Sequence, residues 1–372
     1  MSKKLIEVAK LFFKLGCIAF GGPAAHIAMM EDEVIRKRKW MDHQHFLDLI
    51  GATNLIPGPN STEMTMHCGY ERAGWKGLFV AGGLFIFPAV VITLIFAYFY
   101  KEYADLPAVQ PFILGIKPAV IAIILSALWK LGKKAIKNYL LGSIAVIATI
   151  ITLLGVHEII IVFASGFIGM LIYFARNGRL NSISIIPLFY YFKPIDGLSQ
   201  FKIFLTFLKV GALLYGSGYV LFAYLDAELV AKGLMSQAEL MDAIAVGQMT
   251  PGPVLSTATF IGYQLGGIQG AIFATIGIFL PSFIFVLLLN PLVKKIRKYP
   301  ILGAFLDAVN AAAVAVILAV LIEMSIDSLT DWRTTLIALA SVFVVFYLKK
   351  INSAFIVLGG AILGYTLYQI PI

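Results

Sequence analysis

The sequence predicts an all-α polytopic membrane protein made of two inverted-topology repeats, each with about five transmembrane helices, and three observations carry that reading. The first is composition. Of 372 residues, 60% are hydrophobic and only 13% charged, with a mean hydropathy of +0.90, whereas a soluble domain carries roughly 25% charge. The second is a series of apolar runs, among them Gly77–Tyr100, Ile113–Trp129, Ile268–Leu289 and Ile301–Ile322. At ~20 residues per crossing, roughly ten crossings fit. The third is that the chain matches itself at an offset of 193–195 residues.

That self-match fixes the organisation. FFKLGCIAFGG (12–22) faces FLKVGALLYGS (207–217), Glu31 and Glu33 face Asp226 and Glu228, and FLDLI (46–50) faces LMDAI (240–244). Pro57-Gly58-Pro59 falls on Pro251-Gly252-Pro253, GYERAGWKG (69–77) on GYQLGGIQG (262–270), and Pro88 on Pro281. The halves are 1–180 and 200–372, joined by a linker over 181–199. Cytoplasmic loops collect Lys and Arg, and here matching loops differ. Arg36, Lys37, Arg38 and Lys39 face a loop holding Lys232; Lys101 with Glu102 and Asp105 faces Lys294, Lys295, Arg297 and Lys298. Lys130, Lys133, Lys134 and Lys137 face Glu323, Asp327, Asp331 and Arg333, and His157 and Glu158 face Lys349 and Lys350. Such alternation is what halves of opposite orientation show.

Inversion requires an odd number of crossings per half. Five spans, with a Pro-Gly-Pro segment that enters and leaves on one side, give a cytoplasmic linker and an outside N-terminus, against the charge of Lys3 and Lys4. The alternative, in which the Pro-Gly-Pro segments cross as broken helices, stays open on hydropathy alone. The N-terminus, MSKKLIEVAKLFFKLG, has no apolar stretch followed by a small-residue cleavage site, so it is expected to stay in the mature chain.

Each half offers two helix starts at membrane depth. One follows Gly21-Gly22-Pro23 or Gly216-Ser217-Gly218, the other follows Pro-Gly-Pro. A proline inside a helix removes an N–H and clashes with the preceding turn, and glycine permits positive φ, so these motifs break helices. Irregular backbone at that depth is tolerated only where it is buried in protein or lines a watery cavity. Each start behaves like roughly half a positive charge, so four converging starts would approximate +2 and suit a tetrahedral dianion. Asn54, Asn60, Ser61 and Thr62 in one half, and Gln248, Thr250, Ser256 and Thr257 in the other, are candidate donors to it or caps for the breaks. His26 can donate to an anion or serve packing. Glu63, Glu31 and Lys117 are coupling candidates: Glu63 sits in a membrane segment or caps its helix, Glu31 precedes the Arg36–Lys39 cluster and can pair with it, and Lys117, opposite Asn310 in the repeat, completes an anion site or snorkels.

Other chemistries lack residues to stand on. The +9 balance gathers at the ends of apolar runs, which excludes a nucleic-acid face. Cys17 and Cys68 stand in dissimilar contexts and are read as small buried hydrophobes; His43 and His45 are two apart and point to different helix faces. HExxH, GxSxG and Walker A motifs are missing, so no enzyme, metal or cofactor is expected.

FGGPAAHI (20–27), LIPGPNSTE (55–63), HCGYERAGWKG (67–77), YGSGYV (215–220), GQMTPGPVLSTATFIGY (247–263) and GIFLPSFIF (277–285) together resemble the chromate ion transporter family in its long, two-repeat form. The resemblance implies a multi-pass protein of the cytoplasmic membrane that exports chromate, with sulfate as the natural isostere. The family motifs map onto Gly21, Gly22, Pro23, His26, Pro57, Gly58, Pro59, Asn60, Ser61 and Thr62, and onto Gly216, Gly218, Gln248, Pro251, Gly252 and Pro253. The expected partners are an inorganic oxyanion and the lipid bilayer, and a homodimer is compatible with a transporter of this size. A passive anion channel, or transport of a different physiological oxyanion, is the alternative. Unequal polarity, Asn60-Ser61-Thr62-Glu63 against Val254-Leu255-Ser256-Thr257, predicts an asymmetric site whose polar contacts come mostly from the first half.

Overall fold

The computed structural model describes residues 2–20, 22–53, 56–177, 199–215, 218–289, 300–348 and 351–370. Among these, all regular structure is helical. The first half holds α1 (Lys3–Ile18), α2 (Pro23–Glu31) running into a π-turn at Asp32–Lys37, α3 (His43–Thr53), α4 (Asn60–Tyr103), α5 (Gln110–Ala135), α6 (Tyr139–Leu153) and α7 (Glu158–Asn177). The second holds α8 (Gln200–Leu213), α9 (Val220–Leu225) with a π-turn at Asp226–Val230, α10 (Gln237–Met249), α11 (Thr257–Leu289) after a short turn at Val254–Ser256, α12 (Pro300–Ser328), α13 (Trp332–Tyr347) and α14 (Ser353–Tyr368). Five of these helices are long and apolar enough to cross a membrane: α4, α5, α7, α11 and α12. Except for Ser199, the expected linker lies outside the described residues, as do Arg179, Lys193, Lys294, Lys295, Arg297, Lys298, Lys349 and Lys350.

The glycine and proline breaks reverse the chain. Gly22 takes φ +80° ahead of Pro23 in the first helical turn, and α2 then runs back along α1, so that Lys14 reaches Glu33 at 2.9 Å and Trp40 meets Phe12. Arg72, over the Trp40 ring, binds Glu7 near the start of α1 at 2.5 Å. The N-terminal lysines therefore share a face with Arg36–Lys39, which corrects the expected outside N-terminus: α1 folds back instead of crossing.

The Pro-Gly-Pro segment re-enters. His45, at the start of α3, lies 3.2 Å from Glu71 near the end of the first arm of α4, so the motif between them is a hairpin tip. At Ala73 and Gly74 α4 leaves helical geometry, with Gly74 at φ +65°, and residues 75–103 head the opposite way. A Cβ on Gly69 would stand 2.5 Å from that of Ala81, although residues that far apart in a straight helix are about 18 Å apart. The second half repeats the device at Gly266 and Gly267, with Gly262 against Ala274 and Thr259 bonded to Thr275 at 2.8 Å.

Equivalent helices of the two halves pack antiparallel. Along α4 and α11, Phe79 stacks on Phe283, Tyr100 meets Phe260 edge-on, and Gln264 Nε2 donates to the Ala97 carbonyl at 3.0 Å. Lys137, two residues past the end of α5, meets Asp307 in the first turns of α12 at 2.6 Å. Corresponding helices that run in opposite directions across a two-fold axis place that axis perpendicular to them, in the membrane plane, so the repeats are inverted. The halves also interlock. α6 and α7 pack chiefly on α12, and α13 and α14 on α5, with glycines at the closest approaches: Gly115 against Gly360 and Gly364, and Gly169 against Ala308.

Candidate functional site

The two Pro-Gly-Pro tips meet the first helix of the opposite half. Gly58 N–H donates to the Leu214 carbonyl at 2.6 Å, and Gly252 N–H donates to the Ala19 carbonyl at 2.8 Å. Leu214 and Ala19 are the residues that end α8 and α1. Each tip thus satisfies a carbonyl freed by the glycine break of the other half, and the four breaks become one structure. His26 ties it further, its Nε2 donating to the Ala19 carbonyl at 3.0 Å and its Nδ1 accepting from Ser61 Oγ at 3.3 Å, with Phe85 edge-on to the ring. Across the two-fold, a Cβ on Gly22 would lie 4.0 Å from Tyr219 Oη, and within the second half one on Gly218 would lie 3.6 Å from Leu255. The starts of α2, α4, α9 and α11 are therefore neighbours.

A cavity of about 340 Å³ leads to two of them, the starts of α4 and α9, from the face that carries the N-terminus and Arg36–Lys39. Lys134, Lys137 and Asp307 stand at its mouth, Asn310 lies along its wall, and Ile56, Asn60 and Val220 form its floor. Pro59, the residue ahead of α4, has no side-chain acceptor with which to cap the helix, so that helix end keeps its positive character. A larger groove of about 860 Å³ lies outside α5, α6 and α12. Its walls are mostly apolar, Val146, Ile147 and Leu318 among them, and it touches none of the four helix starts.

The expected site residues divide accordingly. Gly22, Pro23, Pro57, Gly58, Pro59, Gly218, Pro251, Gly252 and Pro253 shape the breaks, while Gly21, Asn54, Gly216 and Ser217 lie outside the described residues. Asn60 lines the cavity. Several hydroxyls are occupied by the breaks: Ser61 with His26, Thr250 Oγ1 on the Gly247 carbonyl, Ser256 with Thr250, and Thr257 Oγ1 on the Val254 carbonyl at 2.8 Å. Thr62 and Gln248 are buried away from the cavity lining.

Of the coupling candidates, Glu31 pairs with His43 and Arg36 at the face. Its neighbour Glu33 turns inward, where hydrogen bonds from Lys14 and then Lys37 outweigh burial and hold the carboxyl below its ordinary value. Glu228 repeats the arrangement with Lys209 and Lys232, and His157 joins it. Glu63 is fully buried (0% exposed). Its carboxylate rests on Gly58 and faces the Ser282 hydroxyl of α11, yet neither oxygen makes a hydrogen bond of full geometry. Lys117 stands 3.8 Å from Asp242, which also accepts from Tyr100 at 2.7 Å. Cys68 is buried as expected, but Cys17 is exposed.

Sequence reasoning missed Lys134, Asn310, Asp242 and Ser282. Two of these carried a signal. Asn310 was visible as the counterpart of Lys117, and Ser282 follows Pro281 where the first half has Ala89 after Pro88.

Interlocked inverted repeats, with helix breaks meeting at mid-depth and a cavity open to one face, define a membrane transporter. The chain belongs to the chromate transporter family, whose model matches residues 6–170 and again 201–365. It is 30% identical to the chromate transport protein of Cupriavidus metallidurans over 98% of this chain and 94% of that one. It is 29% identical to a probable chromate transport protein of Synechococcus elongatus over 97% and 95%. An uncharacterized transporter of Bacillus subtilis, YwrA, matches 34% of this chain with 71% of its own length, at 25% identity. No solved structure matches the chain significantly.

Proposed function

We propose that this protein exports chromate, and its isostere sulfate, across the cytoplasmic membrane by alternating access. The observation that carries the reading is the cavity, which runs from Lys134 and Lys137 to Asn60 at the uncapped start of α4. Lysines at a mouth raise the local concentration of an anion, and a helix start beside an amide side chain offers it N–H donors in place of water. The positive-inside rule makes this face cytoplasmic, since it also carries Lys3, Lys4, Arg36–Lys39, Arg72 and Lys76. An anion entering there would leave outward. The names of the relatives, chromate transport proteins, support the same substrate class.

A transporter is favoured over a passive channel because the position equivalent to the cavity on the opposite face is filled. There α10 packs on α5, α12 and α14. Glu63 is the coupling group in this reading: a buried carboxyl at the contact between halves can carry a proton as they rock. Proteoliposomes containing the protein are expected to move chromate and radiolabelled sulfate under a proton or voltage gradient. Movement of neither under any gradient would sink the proposal.

A further inference from the structure

Repeat symmetry gives each residue of the open path a counterpart on the opposite face. Asn310 corresponds to Lys117, Asn60 to Val254, Leu131 to Met324, and α3 to α10. The open path exists because the first hairpin stays back: among the described residues, α3 packs closely only on α4. On the opposite face the counterparts are shut together. Asp242 of α10, 5% exposed, accepts from Tyr100 at 2.7 Å and lies 3.8 Å from the Lys117 ammonium of α5, while Met324 is fully buried. Its second carboxylate oxygen, Oδ1, is buried without a partner.

We infer that Lys117, Asp242 and Tyr100 form the gate of the opposite-face path, and that Lys117 is an anion-binding residue exposed when that gate opens. This rests on the alternating-access reading above. In an inverted-repeat transporter the second state arises when the halves exchange conformations. α10 then withdraws from α5 as α3 is withdrawn here, the Asp242–Lys117 pair parts, and Lys117 takes the place that Asn310 holds in the open cavity. The ammonium passes from a carboxylate to a divalent oxyanion, and on closing Asp242 reclaims it and releases the anion. No covalent bond changes. Glu239 adds negative charge on the same helix and Tyr100 contributes a neutral donor, so the gate is built around a single cation. The inner path has the uncharged Asn310 at this position, which makes the two paths chemically unequal.

The test uses the full chain with Cys17 and Cys68 replaced, carrying one reporter cysteine at Val254 or, separately, at Met324. Membrane-impermeant maleimide is applied from each face of oriented vesicles. Asp242→Asn or Lys117→Gln is expected to speed labelling of the reporter from the opposite face by about tenfold or more, as a shift of the closed population would. The exchanged pair Lys117→Asp with Asp242→Lys is expected to restore slow labelling. Saturating chromate is expected to accelerate labelling in the parent but not in Lys117→Gln. Unchanged labelling of both reporters in the single variants, in vesicles that still transport chromate, would overturn the gate. Asn60→Cys provides the separate control: if it is not labelled from the basic face, the alternating-access reading fails instead.

Discussion

The two Pro-Gly-Pro hairpins have the same backbone and opposite surroundings. Around the first, Val8, Phe12, Phe46, Met64 and Phe85 form a cluster confined to α1–α4. Around the second, Phe222, Leu240, Ile244 and Phe260 merge with α5 and α12 in the main core of the molecule. The first hairpin is therefore a body that can keep its distance, with a cavity beside it, and the second is docked. Identical secondary structure does not decide which face is open; the side chains between hairpin and scaffold do. Polarity follows the same division, since the first tip has Asn60 on the cavity floor and Glu63 against Ser282, where the second has Val254 and a Thr257 whose hydroxyl is held by the Val254 carbonyl.

Substitutions at equivalent positions should break this equivalence unequally. Gly58→Ala is expected to be the most damaging. Its φ is +141° and a Cβ would lie 2.0 Å from Glu63 Oε1, so backbone strain and overpacking add to about 3–5 kcal/mol, and vesicle transport of chromate should be abolished. Gly252→Ala meets the strain of φ +86° and a milder crowding, with its nearest contact, the Ala89 Cβ, at 3.1 Å, about 1–3 kcal/mol. Equal loss from both, measured as transport per folded protein, would mean that the asymmetry is irrelevant.

Asn60→Ala should raise the chromate KM by about tenfold or more, the cost of a hydrogen bond to a charged ligand, with kcat little changed. Val254→Ala should leave KM within about twofold, since that tip is not on the open path. Glu63→Gln is expected to flatten the pH dependence of transport while chromate binding persists. Thr257→Val, at the equivalent position, should cost about 1 kcal/mol of stability through the lost hydrogen bond to the Val254 carbonyl and keep the pH profile. A profile that survives Glu63→Gln would remove the carboxyl from coupling. The smallest effect belongs to the mouth. Lys134→Gln should raise KM about threefold at low ionic strength and not at high, because exposed charges are screened within about 8–10 Å; a salt-independent change would place this lysine in direct contact with the anion.

Much of this was legible in one dimension. The helix breaks were readable because glycine and proline act on their own backbone, and the duplication because order along a chain survives folding. Loop charges gave the inversion, since lysine and arginine report a face of the membrane rather than a contact. The expected outside N-terminus fails for a local reason: five crossings per half count α1 as one of them, whereas Gly22 at φ +80° turns α2 back along α1. The hydroxyls could not be apportioned from sequence either. Ser61, Thr250 and Thr257 have the same chemistry whether they hold an anion or a carbonyl, and in the fold they hold His26, Gly247 and Val254.

The sequence by itself determined that this is a two-repeat membrane protein of the chromate transporter family, where its helices break, and that the first tip is the more polar. These properties are carried by residue type and spacing. Only the tertiary structure decided that the Pro-Gly-Pro segments re-enter, that each tip caps the other half's first helix, and that Lys117 is shut against Asp242 while Asn310 faces a cavity. Apart from the re-entry, which His45 and Glu71 close within one half, those are contacts between segments from opposite halves of the chain. Their existence depends on how the two halves dock, which no local pattern encodes.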